Sequence, residues 1–194
     1  MRISIKTFKT STLLCLVLLL ISACSEKPGC HIKGTCSDSN YQTVRLIDLD
    51  DKEIATTTVS GKEFSFSLDQ EIIQPYMAEV ILVNRDDSED FVTIPVGIEN
   101  GTIKILYGAS FKIKGTPLNE KVQAFISGMS RLRDEVTSPD RTIPVSEIAG
   151  EFSHYYCRSI TLNYDNPLGA YIFERYGSHL TDEDRAQAEQ SLKK

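Results

Sequence analysis

The chain has 194 residues, of which 41% are hydrophobic and 25% are charged. A chain of this length and composition can bury a hydrophobic core of its own, which excludes disordered, collagen-like and disulfide-scaffold proteins. Removal of the first 23 residues would leave 18 basic against 27 acidic residues, a formal charge of −9 that argues against nucleic acid and anionic bilayer surfaces as partners.

The first 23 residues have the organisation of a removable export signal. Residues 1–9 carry three basic side chains and no acidic one, and the apolar run Leu13–Ile21 follows. This run is shorter than the roughly 20 residues that a membrane-spanning helix needs. We therefore expect a signal peptide over residues 1–23 rather than a permanent transmembrane helix.

The apolar run closes with Ile21-Ser22-Ala23-Cys24, which resembles the lipobox of bacterial lipoproteins. In such signals the cysteine thiol receives a diacylglycerol, the preceding peptide bond is cut, and the new amino group is acylated. The resemblance implies that Cys24 is the first mature residue and that acyl chains such as palmitate anchor it to a membrane. The alternative is an ordinary secretory signal with an unrelated cysteine.

The residues after Cys24 indicate which membrane would hold the anchor. Ser25 is not the aspartate that often retains lipoproteins at an inner membrane, so we expect the outer membrane. Surface-export signals resemble a run of acidic residues at this point, whereas Ser25-Glu26-Lys27 contains a single acid. The periplasmic face of the cell envelope is therefore favoured over the cell surface.

From residue 30 onward the pattern is one of short strands separated by turns. Phe64 and Phe66, for example, place apolar side chains on one face of a strand. Asn100-Gly101 separates two apolar runs and predicts a hairpin, because both central positions of the favoured turn need positive φ. The predicted strands are Cys30–Thr35, Thr43–Asp48, Glu53–Val59, Glu63–Leu68, Tyr76–Asn84, Phe91–Val96, Thr102–Tyr107 and Ser110–Lys114.

The periodicity changes after Gly115. Thr116 and Pro117 predict the N-cap and the first residue of a helix, and apolar residues from Leu118 to Leu132 then recur at spacings of three and four. Three further helices are predicted: one from about Ser146, one from Asn166-Pro167 to Gly177, and one after a capping box formed by Thr181 and Asp184.

These elements predict a mainly β fold with α (α+β). A tether over residues 24–29 would lead into an antiparallel β-sandwich-like domain over residues 30–116. A helical region over residues 117–194 would pack on this domain or extend from it.

Five segments carry a resemblance to a family of bacterial domains. They are Cys30-His31-Ile32-Lys33-Gly34-Thr35, Val44-Arg45-Leu46, Gly61-Lys62-Glu63-Phe64-Ser65-Phe66, Ile98-Glu99-Asn100-Gly101-Thr102-Ile103 and Phe111-Lys112-Ile113-Lys114-Gly115-Thr116-Pro117-Leu118-Asn119. In this order they resemble the domain of unknown function of family 4369, over roughly Cys30 to Phe125. That domain lies at the N-terminus of many bacterial lipoproteins, usually before helices and a thioredoxin-like domain of the alkyl-hydroperoxide-reductase type.

Residues Asp165 to Leu192 also look like the helical connector that precedes this thioredoxin-like domain. The chain ends at Lys194, where that domain would begin, and contains no pair of cysteines separated by two residues. The resemblance therefore implies a fold and a membrane location, whereas the activity of the thioredoxin-like domain is not carried over.

Three cysteines remain after lipidation of Cys24, in a compartment that oxidises thiols. Cys30 and Cys36 would lie about 20 Å apart on one straight strand, so a disulfide between them needs a turn around Gly34. Cys157 could pair with either of them. Because three is an odd number, at least one has no partner within the chain. Inert buried thiols, a structural disulfide and a redox-active site all stay open.

No catalytic or metal site is predicted. His31, His154 and His179 are widely separated, and none has a cysteine or histidine at ligand spacing. No glycine pattern of a nucleophile elbow marks a serine. Residues 48–51 and 86–90 are rich in the carboxylates that calcium prefers, but they lack the glycine and distal glutamate of an EF-hand loop, which favours ordinary turns. We therefore expect no cofactor.

The sequence predicts a noncatalytic binding or scaffolding module. Its expected partners are the lipid bilayer, through acylated Cys24, and other proteins of the cell envelope. One alternative is an accessory to periplasmic thiol–disulfide or peroxide chemistry that uses Cys30 or Cys157. Another is a glycan-binding module whose flat aromatic surfaces come from tyrosines, since the chain has no tryptophan. The candidate tyrosines are Tyr76, Tyr107, Tyr155 and Tyr156.

Overall fold

The computed structural model describes residues 28–37, 40–109, 111–140 and 144–194. The predicted signal peptide and Cys24 lie outside these residues. The described strands are β1 (Cys30–Cys36), β2 (Tyr41–Ile47), β3 (Glu53–Thr58), β4 (Glu63–Leu68), β5 (Tyr76–Asn84), β6 (Phe91–Ile98), β7 (Gly101–Tyr107) and β8 (Phe111–Lys114). The described helices are α1 (Pro117–Val136), α2 (Val145–Leu162), α3 (Pro167–Tyr176) and α4 (Asp182–Leu192), with a 3₁₀ turn at Gly177–His179.

The strands form two four-stranded sheets. The first has the order β4-β1-β7-β8 and the second the order β3-β2-β5-β6. Every neighbouring pair is antiparallel except β1 and β7, which run parallel from the Cys30–Gly101 pair onward. The α+β prediction with a sandwich-like arrangement is confirmed, and the single parallel pair is a difference from the all-antiparallel expectation.

The predicted hairpin at Asn100-Gly101 is wrong. β6 and β7 lie in different sheets, so these two residues carry the chain from the second sheet to the first. The Asn100 side-chain oxygen accepts hydrogen bonds from the backbone N–H groups of Gly29 (3.0 Å) and Ile72 (2.9 Å), and its nitrogen donates to the Ile72 carbonyl (2.9 Å). The chain does bend at Asn100, but the local sequence does not show which sheet the next strand joins.

A glycine in the middle of β1 makes room for an aromatic ring. Gly34 lies opposite Phe64 of β4, and a Cβ atom at this position would collide with the Phe64 ring. The ring therefore covers the glycine backbone, and Phe64 is buried. This contact gives a physical reason for the glycine in the first of the five family segments.

The central strand β5 is buried on both faces. Ala78, Val80 and Leu82 alternate on one face and are fully buried in the core of the sandwich, whereas Met77 and Glu79 are buried on the other. The second face meets α3, which packs against β5. The second sheet therefore lies between the first sheet and a layer of helices.

The helix starts follow the predicted signals closely. The Asn166 side chain accepts from the backbone N–H of Leu168 (3.1 Å) and caps α3. Thr181 is the N-cap of α4, and its hydroxyl accepts from the backbone N–H of Asp184 (3.3 Å), as a capping box requires. The predicted helix near Ser146 begins at Val145. Side-chain capping therefore fixes two of the four starts.

The capping of the start of α1 differs from the prediction. Thr116 is the N-cap residue, but its hydroxyl caps no backbone N–H group and instead accepts from the side chain of Asn119 (2.8 Å). The backbone N–H of Leu118 donates to the Glu99 carboxylate (2.6 Å). One orphan donor at this helix end is thus satisfied by a residue that directly follows β6.

The same helix start protects the open edge of the second sheet. Asn119 is fully buried; its side chain accepts from the backbone N–H of Gly97 (3.0 Å) and donates to the Gly97 carbonyl (2.7 Å). It therefore binds β6 as a neighbouring strand would, which satisfies backbone groups on an edge strand. A Cβ atom at Gly97 would collide with Leu118, so the glycine allows this close approach.

Candidate functional site

The three cysteines considered for redox chemistry are buried and lie in different places. Cys30 and Cys36 occupy the two ends of β1, which continues through Gly34 without the turn that a disulfide between them would need. Six residue steps along a strand separate their Cα atoms by about 20 Å. Cys157 lies on α2 and is also buried.

The environment of two of these cysteines disfavours the thiolate. Burial raises the pKa of the Cys30 thiol to about 11, and the charge of Glu99 acts in the same direction. Burial also raises the pKa of Cys157, with a further contribution from the negative charge of Asp184. Since thiol exchange requires an accessible thiolate, these positions do not suit nucleophilic redox chemistry near neutral pH.

A serine, an acid and a histidine meet where α2 contacts the start of α4. The Ser153 hydroxyl donates to the Asp184 carboxylate and accepts from the backbone N–H of Thr181 (2.8 Å). His154 Nδ1 lies 3.3 Å from the other oxygen of Asp184. In a catalytic triad the histidine must contact the serine, whereas here both residues contact the acid. The arrangement therefore joins two helices and does not activate the serine.

A buried carboxylate on β5 binds α3. The Tyr171 hydroxyl donates to Glu79 Oε1 (3.0 Å), and Arg175 Nε lies 3.1 Å from the same oxygen. Burial and the charge of Glu79 raise the pKa of Tyr171, which keeps the phenol protonated as a donor. This contact was not predicted from the sequence, although an acid inside the apolar run of β5 was the available signal.

The acidic loops use their carboxylates to form turns. Asp48 accepts from the backbone N–H groups of Asp50 (3.0 Å) and Lys52 (2.9 Å), and Asp87 accepts from that of Glu89 (2.9 Å). Across the residues that the structure describes, no group of three or more histidine, cysteine, aspartate or glutamate side chains could hold a metal ion.

The tyrosines considered as sugar-binding surfaces contribute to packing. Tyr155 stacks on Phe125 with ring centroids 5.8 Å apart, and Tyr156 stacks on Tyr176 at 4.7 Å. Tyr107 and Tyr76 are half-buried, and the Tyr107 ring meets Tyr41 edge to face. Because another aromatic ring packs against each of Tyr107, Tyr155 and Tyr156, these three do not form one open flat platform for a sugar.

Two neighbouring concavities open along the helical layer. The first, the α2–α3 cleft, has a volume of about 490 Å³ and lies between the loop joining α2 to α3 and the start of α1. It is lined by Gln74, Pro75, Glu99, Pro117, Leu118, Lys121, Tyr164, Asp165, Asn166 and Pro167. Its mixture of one cation and two carboxylates gives the cleft no strong charge.

The second concavity, the α1–α2 groove, has a volume of about 430 Å³ and is basic. Lys121, Arg131 and Arg158 line it, and no carboxylate does. None of the three cations forms an ion pair with any residue that the structure describes. Phe125 and Tyr155 supply an apolar floor. A cationic groove with an apolar floor suits an acidic, partly apolar ligand, in contrast to the net negative charge of the chain.

Comparison with known protein families assigns the β-sandwich to a family. Residues 30–122 match the model of the family described as a domain of unknown function (DUF4369). These residues form a DUF4369 domain. The DUF4369 domain contains all eight described strands and the first residues of α1, which confirms the resemblance drawn from the five segments. No curated protein and no solved structure gives a significant match to the chain.

The match ends inside α1, after the residues that dock this helix on the edge of the second sheet. Gly97 and Asn119 both lie within the matched range. The DUF4369 domain therefore includes its own edge-strand cover. No helix within the described ranges is both long and apolar enough to span a bilayer.

Proposed function

We propose that this chain is a lipoprotein anchored by acylated Cys24 to the periplasmic face of the outer membrane, where its DUF4369 domain acts as a noncatalytic module. The observation that carries the proposal is the lipobox-like Ile21-Ser22-Ala23-Cys24 at the end of an apolar run. Cys24 lies only six residues before the first residue of β1. This spacing would hold the folded domain close to the bilayer.

The proposed activity is binding of other envelope proteins through the α1–α2 groove. Lys121, Arg131 and Arg158 make this groove the place where an acidic segment of a partner gains charge complementarity. Phe125 and Tyr155 beneath them can receive an apolar side chain of the same segment. The buried thiols and the Ser153–Asp184 contact support a noncatalytic role.

Metabolic labelling with an alkyne analogue of palmitate tests the anchor. We expect the full chain, expressed in a diderm bacterium, to be labelled and to fractionate with the outer membrane. Cys24→Ala should abolish the label. The matched control Cys15→Ala changes a cysteine within the apolar run of the signal and should leave labelling intact. Equal labelling of all three chains would contradict the anchor.

Site-specific photocrosslinking tests the binding role. A photoreactive residue at exposed Ala124, which lines the α1–α2 groove, should form an adduct with an envelope protein. The same residue at exposed Thr93 of β6 is the matched control and should give none. Arg131→Glu should weaken the adduct at Ala124 severalfold. Adducts that are equal at both positions, or insensitive to the charge reversal, would contradict a role for the groove.

A further inference from the structure

The exposed apolar side chains of this protein are unevenly distributed. The described residues include five large apolar side chains that are strongly exposed: Ile73, Phe91, Leu106, Leu162 and Tyr164. Ile73 is 93% exposed, an extreme value for an isoleucine. Its neighbour Ile72 is fixed through both backbone groups by Asn100, so Ile73 is presented from a defined loop.

Asn100 also fixes where the chain enters the folded domain. Its side-chain oxygen accepts from the backbone N–H groups of both Gly29 and Ile72, which places these two nitrogens within about 6 Å of each other. Five residue steps separate Gly29 from Cys24, and a fully extended chain of that length spans at most about 18 Å. Any anchor at Cys24 would therefore keep Ile73 near the bilayer.

The α2–α3 cleft brings two more exposed apolar residues to the same end. Tyr164 lines this cleft together with Glu99, the residue before Asn100, and with Gln74 of the loop that carries Ile73. Tyr164 is 51% exposed, and Leu162, two residues earlier at the rim of the α1–α2 groove, is 67% exposed. Three of the five exposed apolar side chains thus lie at the end where the chain enters.

The other two lie at the opposite end. Phe91 begins β6, and Ile98 at the far end of that strand leads to Asn100, so about 23 Å separates Phe91 from the entry end. β7 starts at Gly101 at the entry end, and Leu106 lies five residue steps, about 17 Å, further along this strand, near the distal end. These positions supply internal controls.

We propose that Ile73, Leu162 and Tyr164 form a membrane-contact face that rests in the headgroup region of the bilayer holding the anchor. The inference rests on the proposed lipid anchor. An exposed isoleucine and leucine gain by leaving water, and an amphipathic tyrosine ring is well suited to a membrane interface. The anchor supplies a high effective concentration, so weak contacts suffice.

The charges at this end favour an apolar rather than an electrostatic contact with the bilayer. Lys121 shares the α2–α3 cleft with Glu99 and Asp165, so the part of the surface around Ile73 and Tyr164 offers no net attraction for anionic headgroups. The contact should therefore survive added salt and should not require anionic lipid, unlike binding that depends on basic residues.

The absence of tryptophan makes a direct test simple, because one introduced tryptophan reports a single position. The full lipidated chain is reconstituted in phosphatidylethanolamine–phosphatidylglycerol vesicles that contain nitroxide-headgroup lipid, as Ile73→Trp, Tyr164→Trp and the control Phe91→Trp. We expect about half of the emission to be quenched, with a blue shift, for the first two variants and almost none for the control. Added salt and omission of phosphatidylglycerol should change neither result.

Vesicle flotation of the same samples separates the two proposals. If the chains float but Ile73→Trp and Tyr164→Trp are quenched no more than Phe91→Trp, the membrane-contact face is overturned while the anchor stands. If the chains do not float, the anchor fails and the orientation fails with it. Quenching that disappears in salt would overturn the apolar contact in favour of an electrostatic one. Leu106→Trp serves as a second distal control.

Discussion

The two faces of the second sheet are stabilised in different ways. Toward the first sheet, β5 presents Ala78, Val80 and Leu82, which are fully buried among other apolar side chains. Toward the helices it presents Glu79, whose carboxylate is bound by Tyr171 and Arg175 of α3. Apolar burial acts in any geometry that excludes water, whereas buried polar groups must be paired with specific partners. The sandwich is therefore specified by its apolar pattern, whereas the docking of the helices adds a few specific polar contacts to apolar packing.

The largest expected effect comes from removing the buried carboxylate. Glu79→Ala leaves Arg175 and Tyr171 without their acceptor at a buried site, and we expect a loss of about 3 kcal/mol in the free energy of unfolding. Glu79→Gln keeps an acceptor for the Tyr171 hydroxyl and should lose less. Urea unfolding of the chain from residue 25 onward measures both. A loss for Glu79→Ala no larger than that of an ordinary surface substitution would contradict the distinction between the two faces.

The next largest effect concerns the amide that covers the sheet edge. Asn119→Ala removes the partners of both backbone groups of Gly97 in a fully buried position, and we expect a loss of about 2–3 kcal/mol. Asn100→Ala removes the same kinds of bond at an exposed position, where water can replace them, so its loss should be about 1 kcal/mol. Equal losses in the two variants would show that burial does not govern these contacts.

An alkaline loss of stability should follow from the buried thiol of β1. Above pH 9 a thiol in the unfolded chain ionises, whereas folded Cys30 keeps its proton until about pH 11. The unfolded state then binds fewer protons, so the free energy of unfolding falls across this window, by at most about 3 kcal/mol. The stability that the protonated Cys30 thiol contributes is fully present below pH 9. In parallel urea titrations, the free energy of unfolding of the Cys30→Ala variant should fall less steeply over the same pH range.

The smallest effect is expected on the exposed surface of the second sheet. Arg45 and Glu53 form an ion pair at 3.0 Å in which both side chains are nearly half exposed. Glu53→Ala should therefore change the free energy of unfolding by less than about 0.5 kcal/mol. This substitution is the matched control for Glu79→Ala, since each removes a glutamate that binds an arginine. A loss similar to that of Glu79→Ala would remove the distinction between the buried and exposed pairs.

Local sequence signals predicted the elements well. Glu63–Leu68 and Tyr76–Asn84 have the predicted ends, and the capping residues Asn166 and Thr181 act as expected. These features depend on alternation, turn residues and side-chain capping within a few positions of one another. Their physical causes are local, so a single sequence contains them.

Features that depend on distant partners escaped prediction. The hairpin predicted at Asn100-Gly101 proved to be a crossing between sheets, because the pairing of β7 with β1 is decided more than 60 residues away. The bonds of Glu79 and Asn119 likewise need the three-dimensional arrangement before they can be seen. The basic α1–α2 groove was not predicted, because Lys121, Arg131 and Arg158 come together only when two helices pack.

The proposal on which the others depend is that this chain is a lipoprotein whose DUF4369 domain is held at a membrane by Cys24. Mass spectrometry of the N-terminal peptide of the protein extracted from membranes tests it most directly. We expect a peptide that begins at Cys24 and carries the added mass of a diacylglycerol and a third acyl chain. A peptide cleaved elsewhere, or one in which Cys24 is unmodified, would contradict the proposed lipid anchor.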